Sequence, residues 1–212
     1  MRVLAGNPAT SAAILSCLNT VDASGLRQLH AAVAAVVANV PWCGINTPVQ
    51  DAVRWRAALP AAVGAMPGGH LKPTVLAALT GVTNLHMHNC RCVTDELLFH
   101  LLLSLRTLNV SYCSALTDRA SFVHLTALTS LDCCMTSVVE RGAAGLPTLL
   151  QELIIASMLA RVSLSGLTRL RGLRAWNLDA PAAKPALQGS TGTPWRAVCT
   201  LARATHTERL QG

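Results

Sequence analysis

Apolar and polar residues follow a fixed, repeating order through the middle of the chain. Residues 85–95, LHMHNCRCVTD, return at 108–118 as LNVSYCSALTD, and both belong to the pattern apolar-x-x-Leu-x-apolar-x-x-Cys. Weaker copies place the central leucines at positions 85, 108, 131, 153 and 173, which are 23, 23, 22 and 20 residues apart. Because side chains alternate between the faces of a strand, each copy predicts one short strand. Its central leucine and the second residue after it point inward.

Repeats of about 20–29 residues bury their apolar face only by stacking on one another. The pattern resembles that of the leucine-rich repeat proteins, in their Cys-containing form, over residues 80–179. The resemblance implies an α/β fold, namely a leucine-rich repeat solenoid of about five rungs. It also implies that the concave face of the stacked strands docks another protein, although a fold does not name the partner.

Helix-capping residues follow the first two predicted strands. Thr94 and Asp95 follow the first strand, and Thr117 and Asp118 occupy the same positions after the second. Since Thr and Asp side chains cap helix N-termini, we expect a helix after each strand on the convex side. The apolar residues that would close this side are Leu97, Leu98, Leu101, Leu102, Ala120, Phe122 and Val123.

The outward strand positions are the candidate binding residues for a protein partner. Arg174 and Trp176 stand out, because Arg and Trp are frequent interface anchors. We expect Leu108→Ala to be costly and Asn109→Ala to change stability little, since only the leucine is predicted to be inside. The full set of candidate contact residues is Asn84, His86, His88, Thr107, Asn109, Ser111, Ser130, Asp132, Cys134, Glu152, Arg174 and Trp176.

The repeat register argues against both a metal site and a hydrolytic site among the His, Cys and Asp residues of the strands. His86, His88, Cys90 and Cys92 fall within seven residues, but the histidines should point outward and Cys90 inward, so we expect no metal site. His86 and Asp132 share a predicted column with Asn109, and His88 shares the next with Ser111 and Cys134. Two rungs place His86 and Asp132 about 10 Å apart. We therefore expect no enzyme and no cofactor.

The segment before the repeats predicts a helical unit over residues 1–66, with helices at 9–18, 23–39 and 48–58. Residues 14–33 resemble the middle of an F-box, the segment by which substrate receptors join cullin-type ubiquitin ligases, without its usual Leu-Pro start or its later Cys-x-x-Trp-like segment. The resemblance implies contacts with a Skp-type adaptor, and thereby a cullin, through Leu15, Leu18, Leu26 and Leu29. In the other interpretation, these helices only cap the end of the repeat array.

Composition and charge limit the kind of core, the cellular location and the classes of partner that we expect. The 212 residues are 51% hydrophobic but 3% aromatic, which favours a core of Ala, Leu and Val in thin layers, and we interpret residues 67–179 as the repeat array. Cys90, Cys113 and Cys133 are predicted to be buried and reduced, which favours a cytoplasmic or nuclear location. The net charge of +7 is concentrated toward the end of the chain. We interpret residues 180–212 as a basic, flexible tail with a short helix at 195–204, expect no nucleic-acid partner, and find no apolar run of membrane-spanning length.

Overall fold

A computed structural model describes residues 28, 31–44, 46–47, 49–68, 71–138, 145–156, 164, 166–176 and 196–197. Eight short strands form one sheet in chain order, and every neighbouring pair is parallel. The strands are β1 Asn46–Thr47, β2 Gly64–Pro67, β3 Asn84–His86, β4 Thr107–Asn109, β5 Ser130–Asp132, β6 Glu152–Ala156, β7 Gly172–Trp176 and β8 Arg196–Ala197. The α/β class of the prediction is confirmed.

The central leucines of the sequence pattern lie opposite one another. Register pairs Leu85 with Leu108, Leu108 with Leu131, Leu131 with Leu153, and Leu153 with Leu173. All five are buried. A slip of one residue would turn each leucine to the other face of the sheet, so burial of this ladder fixes which side chains face outward.

One backbone contact recurs at the start of six successive strands. Two consecutive N–H groups donate to a single carbonyl oxygen of the preceding unit, as those of Arg106 and Thr107 do to Thr83 at 2.7 and 3.0 Å. The acceptor carbonyls belong to Trp42, Val63, Thr83, Arg106, Thr129 and Gln151. The structural repeat therefore begins by Trp42, well before the segment in which the leucine pattern is visible.

The first 66 residues contain strands that the sequence analysis missed. Strand β1 and most of β2 lie in the segment interpreted as helical, and the sheet runs through the predicted boundary between residues 66 and 67. Ala65 stands opposite Leu85, in the place of a central leucine. Because alanine carries little hydrophobic signal, the pattern could not reveal this copy.

Four helices are described: α1 Ala31–Ala38, α2 Ala52–Ala58, α3 Pro73–Ala78 and α4 Asp95–Leu98, with a 3₁₀ turn, Val49–Asp51, before α2. Helices α1 and α2 lie within the predicted segments 23–39 and 48–58, whereas segment 9–18 is outside the described residues. None of the described helices has the length and apolar character needed to cross a membrane.

The predicted helix caps have different outcomes. Thr94 Oγ1 accepts a hydrogen bond from Leu97 N at 3.3 Å and begins α4, as expected. The second predicted helix is wrong, because residues 110–129 are all described and none is helical. Thr117 Oγ1 instead accepts from Arg119 N at 3.1 Å in a turn, and Phe122 is buried while Val123 is 50% exposed.

Cysteines behave as small core residues in the strand layer. Cys90, Cys113 and Cys133 are buried, which confirms their predicted burial. The thiols of Cys113 and Cys90 donate to carbonyls of the preceding unit, at 3.0 Å to Met87 O and 3.7 Å to Pro67 O. The cysteines thus link neighbouring units as well as filling the core.

The described end of the sheet corrects one further expectation. Arg196–Ala197 form strand β8 and pair with Gly172 and Leu173 of β7, in the segment predicted as a helix over 195–204. Pairing of Arg196–Ala197 with β7 was more favourable than the helix that the weak apolar pattern of residues 195–204 predicted. The remainder of that segment lies outside the described residues.

Candidate functional site

The outward positions of the strands form three columns, which we call the front face. Register aligns the first column, with Asn84, Thr107, Ser130 and Glu152, and the second, with His86, Asn109, Asp132, Ile154 and Arg174. His88, Ser111 and Cys134 form the third, in which the N–H groups of the next residues, Asn89 and Tyr112, donate to the carbonyls of Ser111 and Cys134. The structure therefore brings the predicted positions together in the predicted columns.

Exposure differs among these positions. His88, Glu152 and Arg174 are exposed, and the other members of the first two columns are half-buried. Ser111 and Cys134, at 3% and 7% exposure, are buried, so the expectation that they form part of the accessible surface is wrong.

Several predicted residues lack a described side chain. The backbone of Trp176 pairs with Ala156, but its side chain is outside the described set. Leu15, Leu18, Leu26 and Leu29, the predicted adaptor contacts, also lie outside the described residues. Their roles stay predictions.

The Asn109 amide organises the polar centre of the front face. Its Oδ1 accepts from Ser111 N at 2.9 Å, and its Nδ2 donates to Asp132 Oδ2 at 3.1 Å. A backbone N–H can only donate and a carboxylate can only accept, so both contacts fix the same orientation of the amide. The Ser111 hydroxyl lies 2.7 Å from Oδ1 and must therefore donate its hydrogen there.

This orientation determines the direction of the next hydrogen bond. His88 Nδ1 lies 2.8 Å from Ser111 Oγ, whose only hydrogen is already donated to Asn109. His88 must therefore carry a hydrogen on Nδ1 and donate it to the serine. A serine nucleophile needs the opposite arrangement, in which the histidine accepts the hydroxyl proton.

Asp132 ends this chain of hydrogen bonds. Its Oδ1 accepts from Cys134 N at 3.1 Å, while Oδ2 accepts from Asn109. Burial raises the pKa of the Asp132 carboxyl above its ordinary value, and the Cys134 N–H and the nearby His88 and His86 partly oppose this rise. The carboxylate is thus held in one orientation in partly desolvated surroundings.

Three residues at the ends of successive strands adopt a left-handed backbone conformation. Asn89, Tyr112 and Met135 have φ values of 55°, 59° and 57° and follow the third column of the front face. Asn tolerates this region, but for bulky side chains it is unfavourable. Tyr112 and Met135 are nevertheless 50% and 57% exposed, and the Tyr112 ring meets His88 edge-on with centroids 5.2 Å apart.

The sequence analysis missed Tyr112 and Met135 as surface residues. The available signal was their position, since residues 89, 112 and 135 are each 23 apart and stand directly before the Cys, Cys and Thr of the pattern. A turn of the same geometry is expected at each. Tyr112 and Met135 form an apolar edge along one side of the front face, next to His88, which we call the rim.

No three His, Cys, Asp or Glu residues in the described part of the chain converge as a metal site. No protein-family model matches the chain, and no curated protein matches it either. Functional inference therefore depends on the geometry of the front face and on its chemistry.

Proposed function

We propose that the chain is a non-enzymatic protein-interaction module, a leucine-rich repeat solenoid that binds a protein partner on its front face. The observation that carries the proposal is the continuous front face, in which parallel strands in register align three columns of mostly polar side chains. Repeat stacks with such a face commonly use it for binding.

The hydrogen bonds of this face support binding in preference to catalysis. His88 donates to Ser111, and Ser111 is buried and donates to Asn109. Each group is therefore occupied in holding its neighbour in place. Side chains held in this way lose little further freedom on association, which favours affinity.

The proposal is tested in the cells that express the protein, with a photo-crosslinking amino acid at one position of the full chain. The position is Thr107 in one variant and Val123 in the other. Thr107 is a half-buried member of the first column, whereas Val123 is exposed and follows the turns after β4. Irradiation should link a partner to the front-face position and leave the Val123 position without it. Equal linkage from Val123, or none from the front face, would contradict the proposal.

The alternative function is an F-box-like substrate receptor of a cullin-type ubiquitin ligase, which rests on the sequence resemblance of residues 14–33. We propose a test on the full chain, because a shortened chain that starts near Gly68 would lack β1 and β2. Serine replacements at Leu15, Leu18, Leu26 and Leu29 should abolish co-purification of a Skp-type adaptor and a cullin. If the unaltered chain recovers neither protein, the first segment is a cap.

A further inference from the structure

We propose that the front face receives a cationic side chain, an Arg or Lys of the partner, at Asp132, while an apolar residue of the same partner segment packs on Tyr112 and Met135. The inference rests on the proposed function and adds the chemistry of the partner. It follows from three observations on hydrogen bonding, charge and the rim.

The hydrogen-bond chain leaves acceptors at both of its ends. A histidine that donates through Nδ1, as His88 does, has its Nε2 lone pair available as an acceptor when the ring is neutral. Asp132 receives one described hydrogen bond on each oxygen, and an ionised carboxylate has about four acceptor positions. The Ser111 hydroxyl hydrogen and one of the two Asn109 amide hydrogens are donated within the chain. A complementary partner must therefore bring donors.

The charge of the Asp132 carboxylate also favours a partner that brings a cationic hydrogen-bond donor. The protein has 17 Lys and Arg residues against 10 Asp and Glu. Even so, no Lys or Arg in the described part of the chain forms an ion pair with Asp132, and the carboxylate is held there by neutral donors. A partly desolvated carboxylate gains most from a cation that also donates hydrogen bonds, and Arg and Lys are such groups.

The rim supplies the apolar part of the contact. Tyr112 and Met135 hold an unfavourable left-handed conformation, and their exposed side chains gain little packing in return. Strained residues of this kind cluster at ligand-binding sites. Tyrosine is a frequent interface anchor, and methionine adapts its shape to apolar partners. The contact between the Tyr112 ring and His88 keeps the aromatic surface beside the polar chain.

The experiment is a selection from a random peptide library on the immobilised full chain, followed by fluorescence anisotropy with the enriched peptides. The net charge of +7 alone would enrich acidic peptides, whereas the proposal requires peptides that combine Arg or Lys with apolar residues. Asp132→Asn should weaken their binding by about tenfold or more. Glu96→Gln is the matched control, because it removes the same charge from an exposed residue on α4.

Tyr112→Gly keeps the test decisive if Asp132→Asn does not fold. Glycine relieves the left-handed strain, so this variant should melt no lower than the unaltered protein and yet bind the cationic peptides more weakly. Enrichment of acidic peptides, failure to enrich cationic ones, or equal weakening by Glu96→Gln would overturn the proposal. Uncharged peptides that lose affinity on Tyr112→Gly would also overturn it and would leave the front face as the binding surface. Peptides unaffected by either front-face variant would count against the proposed function too.

Discussion

Replacement of Asn109 by alanine should destabilise the protein strongly, although the residue is a half-buried polar side chain on a strand face. The amide accepts from Ser111 N at 2.9 Å and Ser111 Oγ at 2.7 Å, and it donates to Asp132 at 3.1 Å. These contacts replace the sequence-based expectation that Asn109→Ala costs little. They make Asn109 a structural residue as well as a candidate contact.

The expected loss of unfolding free energy depends on how deeply the groups that lose their Asn109 hydrogen bond are buried. Ser111 is only 3% exposed, so its N–H cannot easily recover a hydrogen bond from water, whereas its hydroxyl can turn to donate to His88 Nδ1, 2.8 Å away. Each buried polar group left unsatisfied costs about 1–3 kcal/mol. Asp132 is half-buried and can regain water, so its loss is smaller. We expect Asn109→Ala to lower the free energy of unfolding by about 2–4 kcal/mol, close to the about 2–5 kcal/mol expected for Leu108→Ala.

Urea denaturation of the full chain measures this difference through the transition midpoint, provided that the slope is unchanged. Thr107→Ala is the control, since Thr107 is two residues earlier on the same face and equally half-buried, and we expect a loss under about 1 kcal/mol. Combining Asn109→Ala with Ser111→Ala should give a loss smaller than the sum of the two. Equal losses for Asn109→Ala and Thr107→Ala would refute the reasoning.

Three further predictions concern a glycine of strand β2, the thiols and Asp132. Gly64→Ala puts a Cβ in steric conflict with the backbone nitrogen of Gly44 and should cost about 1–3 kcal/mol in thermal melts, whereas Gly68→Ala, with nothing within 4 Å, should cost far less. Iodoacetamide followed by peptide mapping should label exposed Cys43 in the native protein, but Cys113 only after unfolding, because burial raises its pKa to about 11. Burial raises the folded-state pKa of Asp132, so protonation favours the folded state, and the unaltered protein should gain stability relative to Asp132→Asn as pH falls through the window just above 3.8. The opposite trend in urea titrations at several pH values would contradict this.

The sequence predicted the strands wherever the inward residue is large. The large side chains and regular spacing of Leu85, Leu108 and Leu131 predict inward strand positions, and each of these leucines is fully buried. Ala65 occupies the same place in β2 without such a signal. The prediction of a second helix on the convex side was wrong for a different reason. A residue such as Thr117 that can cap a helix can equally form hydrogen bonds in a turn.

The columns of the front face were predictable, but their chemistry was not. Strand alternation placed His88, Ser111 and Asn109 correctly, since it requires only the register. The direction of their hydrogen bonds depends on side-chain rotamers and on the burial of Ser111, neither of which a repeat pattern contains. Positive φ at Tyr112 was also hidden, because tyrosine does not normally mark that conformation.

The shared carbonyl at the start of each strand bears on how the length of such a chain can vary. Thr83 O receives the N–H groups of Arg106 and Thr107, and Arg106 O receives those of Thr129 and Ser130 in the same way. Loss or duplication of one whole unit would therefore leave every remaining strand with an equivalent acceptor. A change of one residue within a strand would misalign the backbone donors and turn the leucine outward, whereas the units tolerate lengths of 20 to 23 residues between central leucines. Gain or loss of complete units, or of residues between the strands, therefore preserves the stack, and insertion within a strand does not.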